Sequence, residues 1–347
     1  MRKVRWGVLG AGGIADRRAM PGLKLCPNAE LVALMDTDLE KARCLREKYG
    51  AKRAYSDDEA LLNDLEVDAV YIASPVAFHA RQAMRAADLG KHILIEKPLA
   101  LTADEGQAVA LHCAEKGVHI AAGFMMRFGS HVQAMKRLIA EGKIGQVVSA
   151  YAQFTCWYPD MPGAWRQSKA SGGGGALTDM GVHVIDLIQF ITGSRVKQVA
   201  AFSDTLTFRY EVEDAASVLL RLENGAQAAL QVNFNIPDEA ARWRLEFFGT
   251  RGHLMGDSVI GQADGGRLNA LFLSDVGGYE AQQDAATRKG EAVVAEFGDL
   301  YAREFDNFCQ TILTGALPAV PATEAVQVQR VVEAAYRSSL KKRIIEL

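Results

Sequence analysis

Cysteine is sparse and scattered: Cys26, Cys44, Cys113, Cys156 and Cys309 are the five in 347 residues, and no two form a C-x-x-C pair. An odd, dispersed set builds neither a disulfide framework nor a zinc site, and it fits reduced thiols in a cytoplasm. Long apolar runs are also missing. No stretch approaches 18 consecutive apolar residues, so no membrane span is expected. The N-terminus reads Met-Arg-Lys-Val-Arg and enters a strand pattern directly, without the apolar core and small-residue cleavage site of a secretion signal, so a cytoplasmic location is expected. Excess charge of one sign is absent too. A formal net charge of −3 gives no general attraction to nucleic acid or to an anionic membrane. Internal repeats are lacking, and low complexity is confined to the glycine run 172–175. What remains, 49% hydrophobic and 23% charged residues, is ordinary globular composition at a length that calls for two domains.

Over the first 120 residues, strand and helix patterns alternate. Val4–Leu9, Leu31–Met35, Arg53–Tyr55, Ala69–Ala73, His92–Ile95 and 118–122 read as strands. Helix-like stretches separate them, one of them capped by Thr102 and ended by Gly117. This grammar predicts βαβ units, a parallel sheet and helices on both faces. After about Gly123 the pattern changes. Residues 147–155, 196–206, 215–222, 226–234, 243–249 and 268–273 read as strands, with Glu223-Asn224-Gly225 as a tight hairpin between two of them. The expected organisation is α/β throughout. Residues 1–123 form a doubly wound dinucleotide-binding domain. Residues 124–347 form an α/β domain with an open, predominantly antiparallel sheet, whose last helix, about 322–340, is placed to return to the first domain.

Gly10-Ala11-Gly12-Gly13-Ile14-Ala15 fits the G-x-G-x-x-G/A fingerprint between a strand and a helix. Gly10 allows the tight turn, Gly12 lets the backbone approach a pyrophosphate, and the small Ala15 lets helix and strand pack closely, with the phosphates at the helix N-terminus. Asp36 ends the second strand, where a carboxylate accepts from ribose hydroxyls and repels a 2′-phosphate. NAD is therefore the expected cofactor, with NADP disfavoured, and neither Thr37 nor Asp38 offers a cation to a phosphate. Ser74-Pro75 ends the fourth strand, at the ribose and nicotinamide half of such a site. His79, one turn on, either faces the cofactor or sits on the helix surface.

Two further groups of residues carry chemistry. Glu96-Lys97-Pro98 closes the fifth strand, at the end of the sheet where such folds bind ligands. A lysine there holds an alcohol oxygen or moves its proton, although a solvated Glu-Lys pair would read the same way. Behind the glycine run, Asp179 and His183 are spaced i, i+4, so a carboxylate stands beside an imidazole as a general base requires. An N-cap aspartate with a buried histidine is the structural alternative. A metal reading through Asp179, His183 and Asp186 lacks a further convergent ligand, so no metal is expected.

These motifs, taken with Gly123-Phe124-Met125-Met126-Arg127-Phe128 and Trp165-Arg166, resemble the Gfo/Idh/MocA oxidoreductase family, which includes glucose–fructose oxidoreductase and inositol dehydrogenase. The resemblance spans essentially the whole chain. It implies a Rossmann domain followed by an α/β domain whose open sheet often makes oligomer contacts, and hence a homo-oligomer, dimer or tetramer. It implies that Lys97, Asp179 and His183 are catalytic. Cofactor contacts are expected from Gly10, Gly12, Gly13, Ile14, Asp36, Thr37, Ser74, Pro75, His79, Glu96, Lys97, Met126, Trp165 and Arg166. Substrate contacts are expected from Lys97, Arg127, Tyr158, Arg166, Asp179 and His183, with Trp157–Pro162 as a pocket loop whose aromatic faces suit a sugar. The activity implied is NAD-dependent oxidation of a secondary hydroxyl on a sugar, polyol or glycoside. An NAD-dependent glycosidase working by transient oxidation, and a catalytically silent NAD-loaded sugar sensor, remain open beside it.

Overall fold

The computed structural model describes residues 2–278 and 290–347. The chain divides into two compact units. Met1–Met125, Pro162–Asp179 and Asp299–Arg330 make the first; Met126–Met161, Met180–Gly298 and Val331–Leu347 make the second. The first unit thus takes in two segments, 162–179 and 299–330, that the reading of the sequence placed in the second domain.

In the first unit six strands, β1 (Val4–Leu9), β2 (Ala29–Met35), β3 (Arg53–Tyr55), β4 (Ala69–Ile72), β5 (His92–Glu96) and β6 (Ile120–Gly123), form a parallel sheet in the order β3-β2-β1-β4-β5-β6. The order reverses between β1 and β4, which is where open sheets of this kind leave a ligand crevice beyond the strand ends. Every residue of β4 is buried, as expected for a strand covered on both faces. Side chains start the connecting helices: Asp38 accepts from the amides of Glu40 and Lys41, and Thr102 from that of Glu105.

The helix Leu300–Thr314 joins this sheet because it carries one apolar face. Tyr301, Phe305, Phe308 and Cys309 are all buried. The Phe305 ring lies 4.9 Å from that of Trp6 and 5.3 Å from that of Tyr71. Its approach to the helix Met20–Leu25 requires glycine, since a Cβ on Gly22 would stand 2.6 Å from the Tyr301 Cβ.

The second unit is built on a nine-stranded sheet. Its strands are β7 (Val147–Thr155), β8 (Val196–Asp204), β9 (Ala215–Leu222), β10 (Gln227–Asn233), β11 (Trp243–Gly249), β12 (Gly252–Asp257), β13 (Arg267–Phe272), β14 (Glu291–Ala292) and β15 (Ile345–Glu346), in the order β14-β13-β12-β11-β7-β10-β9-β8-β15. Among the described residues only β7 and β10 of this sheet pair in parallel. The hairpin joining β9 to β10 turns at Asn224-Gly225, with Gly225 at φ +89° and Asn224 Oδ1 accepting from the Ala226 amide. The sequence reading overlooked β12, β14 and β15: the latter two are two-residue edge pieces, and β12 is interrupted by glycines and has no hairpin signature before it. The helices Ser130–Ala140 and Val182–Thr192 bring buried Val132, Met135, Ile185 and Ile188 to this unit's core. Leu219 on β9 instead points outward and is 61% exposed.

These burials predict contrasting costs. Phe305→Ala should lower unfolding free energy by about 3–5 kcal/mol, the range for a large buried aromatic, whereas Leu219→Ala should stay within about 0.5 kcal/mol. Denaturant titration checks both, and equal costs would contradict the packing described.

Candidate active site

The glycine turn after β1 is built by close backbone approach. Gly10 sits at φ +75°, and a Cβ there would lie 2.6 Å from the Ser74 amide nitrogen, so the backbones beyond β1 and β4 come this close because the residue has no side chain. Gly13, at φ +54°, faces open space with nothing within 4 Å of where its Cβ would be. This turn leads into a helical segment beginning at Ala15, and it presents bare backbone at a helix N-terminus, as a pyrophosphate requires. Beside it lies a cavity of about 320 Å³ lined in part by Asp36, Thr37, Ser74, Pro75, Phe78 and Arg81. The residues present therefore fit a dinucleotide.

Lys41 is the residue that sequence reasoning missed here. Its Nζ lies 2.7 Å from Asp36 Oδ2 and would lie 2.3 Å from a Cβ on Gly12. A cation does stand at the ribose end, although neither Thr37 nor Asp38 supplies one. The signal was present but remote: Lys41 lies in the first turn of the helix that Asp38 caps, five residues beyond Asp36.

At the other end of the sheet crevice, β5 delivers Glu96 and Lys97, and the Lys97–Pro98 bond is cis. The Glu96 carboxyl is buried and accepts a hydrogen bond from the Tyr71 hydroxyl. Burial pushes its pKa up, with Tyr71, Lys97 and Arg166 acting in the opposite direction. His79 does not offer its ring to a cofactor. Its Nδ1 lies 2.9 Å from the Pro98 carbonyl and its Nε2 2.9 Å from the Ser74 carbonyl, so it ties the end of β4 to the turn after Lys97. Burial lowers its pKa to about 4, so at neutral pH the imidazole is neutral and donates to one carbonyl at a time.

Lys97 itself makes a tight ion pair. Its Nζ lies 2.6 Å from Asp179 Oδ1 and 2.6 Å from the Asp179 carbonyl oxygen, and Arg166 Nε lies 3.4 Å from the same Oδ1. The Arg166 guanidinium rests over the Trp165 ring, 4.2 Å from its centroid. The glycine run makes the course of the chain feasible: a Cβ on Gly172 would stand 3.1 Å from the Arg166 Cα. Lys97, Asp179, Arg166 and Trp165 are thus assembled within the first unit. Asp179 stands in a π turn, Leu177–Gly181, a local widening of the helix that is common at functional positions.

Within the second unit, His183 is buried in the first turn of the helix Val182–Thr192 and Met126 is buried in the turn Met125–Phe128. Tyr158 packs on Phe234 at 4.9 Å, and its carbonyl accepts from the Tyr210 hydroxyl. Arg127, expected at the substrate, instead donates from Nε to Asp186 Oδ2 at 2.8 Å in a buried pair, with its guanidinium 4.7 Å from the Phe190 centroid. This pairing also removes Asp186 from the metal reading.

Comparison with known proteins agrees with this geometry. Residues 4–124 match the profile of an oxidoreductase family with an NAD-binding Rossmann fold, and residues 132–255 match the GFO/IDH/MocA C-terminal domain. The chain belongs to the Gfo/Idh/MocA oxidoreductase family. It is 30% identical to D-xylose 1-dehydrogenase (NADP(+)) 2 of Haloferax volcanii over 99% of both chains. It is 28% identical to myo-inositol 2-dehydrogenase of Thermotoga maritima over 99% of this chain and 98% of that one. Among solved structures, aldose-aldose oxidoreductase from Caulobacter crescentus superposes with a TM-score of 0.89 at 26% identity, with all of both chains covered. No helix among the described residues is long and apolar enough to cross a membrane.

The buried ion pair gives a direct test of Arg127. Arg127→Met removes the cation that the buried Asp186 carboxylate pairs with, and should cost about 3–5 kcal/mol of stability. Arg127→Met combined with Asp186→Leu should recover most of that loss. A rise in KM with unchanged stability would instead return Arg127 to the substrate.

Proposed function

We propose that this protein catalyses the reversible, NAD-dependent oxidation of a secondary hydroxyl on a sugar, polyol or glycoside. The observation that carries the reading is the Lys97–Asp179 pair at the carboxyl end of a sheet whose first turn is a dinucleotide cradle. An ammonium has three N–H donors, and Lys97 directs two of them at Asp179. The third is left for a substrate oxygen, where it stabilises charge as the hydroxyl loses its proton. His183 takes that proton as general base. A nicotinamide cofactor held by the glycine turn at Gly10–Ala15 and by Asp36 would supply the acceptor for the hydride that leaves the same carbon. Alcohol and oxidised cofactor thereby give ketone, reduced cofactor and one proton. Trp165 and Arg166 flank the Lys97 pair, and Arg166 adds a second cation beside Asp179.

Asp36 sets the cofactor preference. Its carboxylate accepts from the ribose hydroxyls and repels a 2′-phosphate, while Lys41, which pairs with it, moderates the repulsion. Binding titrations should show NAD tighter than NADP by about 1–3 kcal/mol, the scale for a charged group left badly paired. Equal affinities would remove Asp36 from this role. Asp36→Ser combined with Thr37→Arg should shift preference toward NADP.

Turnover in variants tests the chemistry. His183→Ala should lower kcat by about 10²–10⁴-fold, as for a lost general base, with NAD affinity nearly unchanged. Lys97→Met should lose at least as much, and the losses should not add in the double variant, because both residues act on one proton. Full activity in folded Lys97→Met, assayed by NADH absorbance across a panel of sugars, inositols and glycosides, would overturn the mechanism.

A further inference from the structure

Lys41 stands over the glycine turn as well as beside Asp36. Its Nζ lies 2.7 Å from Asp36 Oδ2, and that carboxylate is the one partner of the ammonium among the described residues. A Cβ on Gly12 would stand 3.2 Å from Asp36 Oδ2 and 2.9 Å from Lys41 Cε, so carboxylate, cation and bare backbone meet at one point of the cradle. The two charges are not held alike. The Asp36 side chain is 12% exposed, and its Oδ1 accepts from the Asp38 amide at 3.2 Å. The Lys41 side chain is 48% exposed and carries its charge on a flexible stem. Other groups that could meet an anion there are committed. Arg81, which lines the same cavity, pairs with Asp58, and Arg43 pairs with Glu40. The amides of Glu40 and Lys41, at the start of the helix Leu39–Tyr49, donate to Asp38.

We propose that Lys41 is a specificity-determining residue, an exchangeable cation that turns from Asp36 to the 2′-phosphate of NADP, so that the site prefers NAD yet accepts NADP. The proposal rests on the reading of the glycine turn and Asp36 as a dinucleotide site. With NAD, Asp36 accepts from the ribose hydroxyls while Lys41 keeps its place on the carboxylate, and the two charges stay balanced. A 2′-phosphate monoester carries about −1.5 to −2 charges at neutral pH, and Asp36 repels it. The carboxylate, tied to the Asp38 amide, cannot retreat. The ammonium can re-aim, because its stem lies at the surface and it leaves no buried partner behind it except Asp36 itself. A lysine on a phosphate is a charge-assisted pair, stronger than a neutral hydrogen bond, so it offsets part of that repulsion. Discrimination is a difference of affinities, and here one residue repels the 2′-phosphate while its neighbour receives it. Without Lys41, Asp36 acts alone and excludes NADP far more sharply.

The test isolates the 2′-phosphate by titrating adenosine 5′-monophosphate and adenosine 2′,5′-bisphosphate, alongside NAD and NADP, in a calorimeter. The quantity read is the ratio of bisphosphate to monophosphate affinity. Lys41→Met should lower that ratio about 10–100-fold, the loss of one hydrogen bond to a charged group, with monophosphate affinity changed by less than about threefold. Lys41→Arg should keep most of the wild-type ratio. Asp36→Asn should raise the ratio, and by more in wild type than in the Lys41→Met background, because only with the lysine present is an ammonium released. Lys41 is half-exposed, so its variants should keep the wild-type Tm. An unchanged ratio in Lys41→Met would overturn the proposal and assign the phosphate to another cation. Equal gains from Asp36→Asn in the two backgrounds would overturn the exchange between carboxylate and phosphate. If wild type binds neither NAD nor the monophosphate, the dinucleotide reading fails and the proposal with it. If NAD binds and the ratio is insensitive to Lys41, the proposal alone fails.

Discussion

The ion pair between Lys97 and Asp179 joins residues 82 positions apart and fastens the segment 162–179 to the end of β5. The two side chains are 11% and 29% exposed, so the charges interact in a medium less screening than water while remaining partly solvated. Such a pair is stable only when its remaining donors and acceptors are satisfied. Here the Asp179 carbonyl and Arg166 complete the set. The segment 162–179 is made of short helical turns, and this cluster, with a glycine at 172 that lets the chain pass close to Arg166, ties it to the end of β5. The same bonds that tie the segment also fix the orientation of the Lys97 ammonium.

Backbone sterics do comparable work at the cofactor end. Gly10 permits the backbones at the ends of β1 and β4 to approach closely at the turn, and Gly22 permits two helices to touch. His79, neutral at physiological pH, links the end of β4 to the turn beyond Lys97. These are constraints of shape and hydrogen bonding rather than of charge. They place the glycine turn and the lysine at fixed positions on one sheet.

The second unit follows a different rule. Its sheet alternates buried and exposed residues along β9, and the charges buried in it are paired: Arg127 with Asp186, and Glu213 with the Tyr336 hydroxyl. Asp214, fully buried, accepts from three consecutive backbone amides, those of Leu206, Thr207 and Phe208, and so shapes the loop that brings Phe208 and Tyr210 toward Trp157.

Much of the architecture was legible in the residues. The six parallel strands, the Asn224-Gly225 hairpin, the glycine turn and the Thr102 cap all arise from neighbours in sequence, because hydrophobic period, φ preference and capping act over a few residues. The positions of Lys97 and Asp179 were legible as motifs; that they bond to each other was not. Lys41 beside Asp36, His79 bonded to two carbonyls and Arg127 paired with Asp186 were equally hidden, as was the return of the helix Leu300–Thr314 to the first sheet. An ion pair or a buried acid depends on which distant side chain arrives at the same place and how much water is displaced there. By itself the sequence determined the elements, their order and the chemical groups available. The tertiary structure alone decided which of those groups meet, because burial and long-range approach assign each one its partner, its charge and its role.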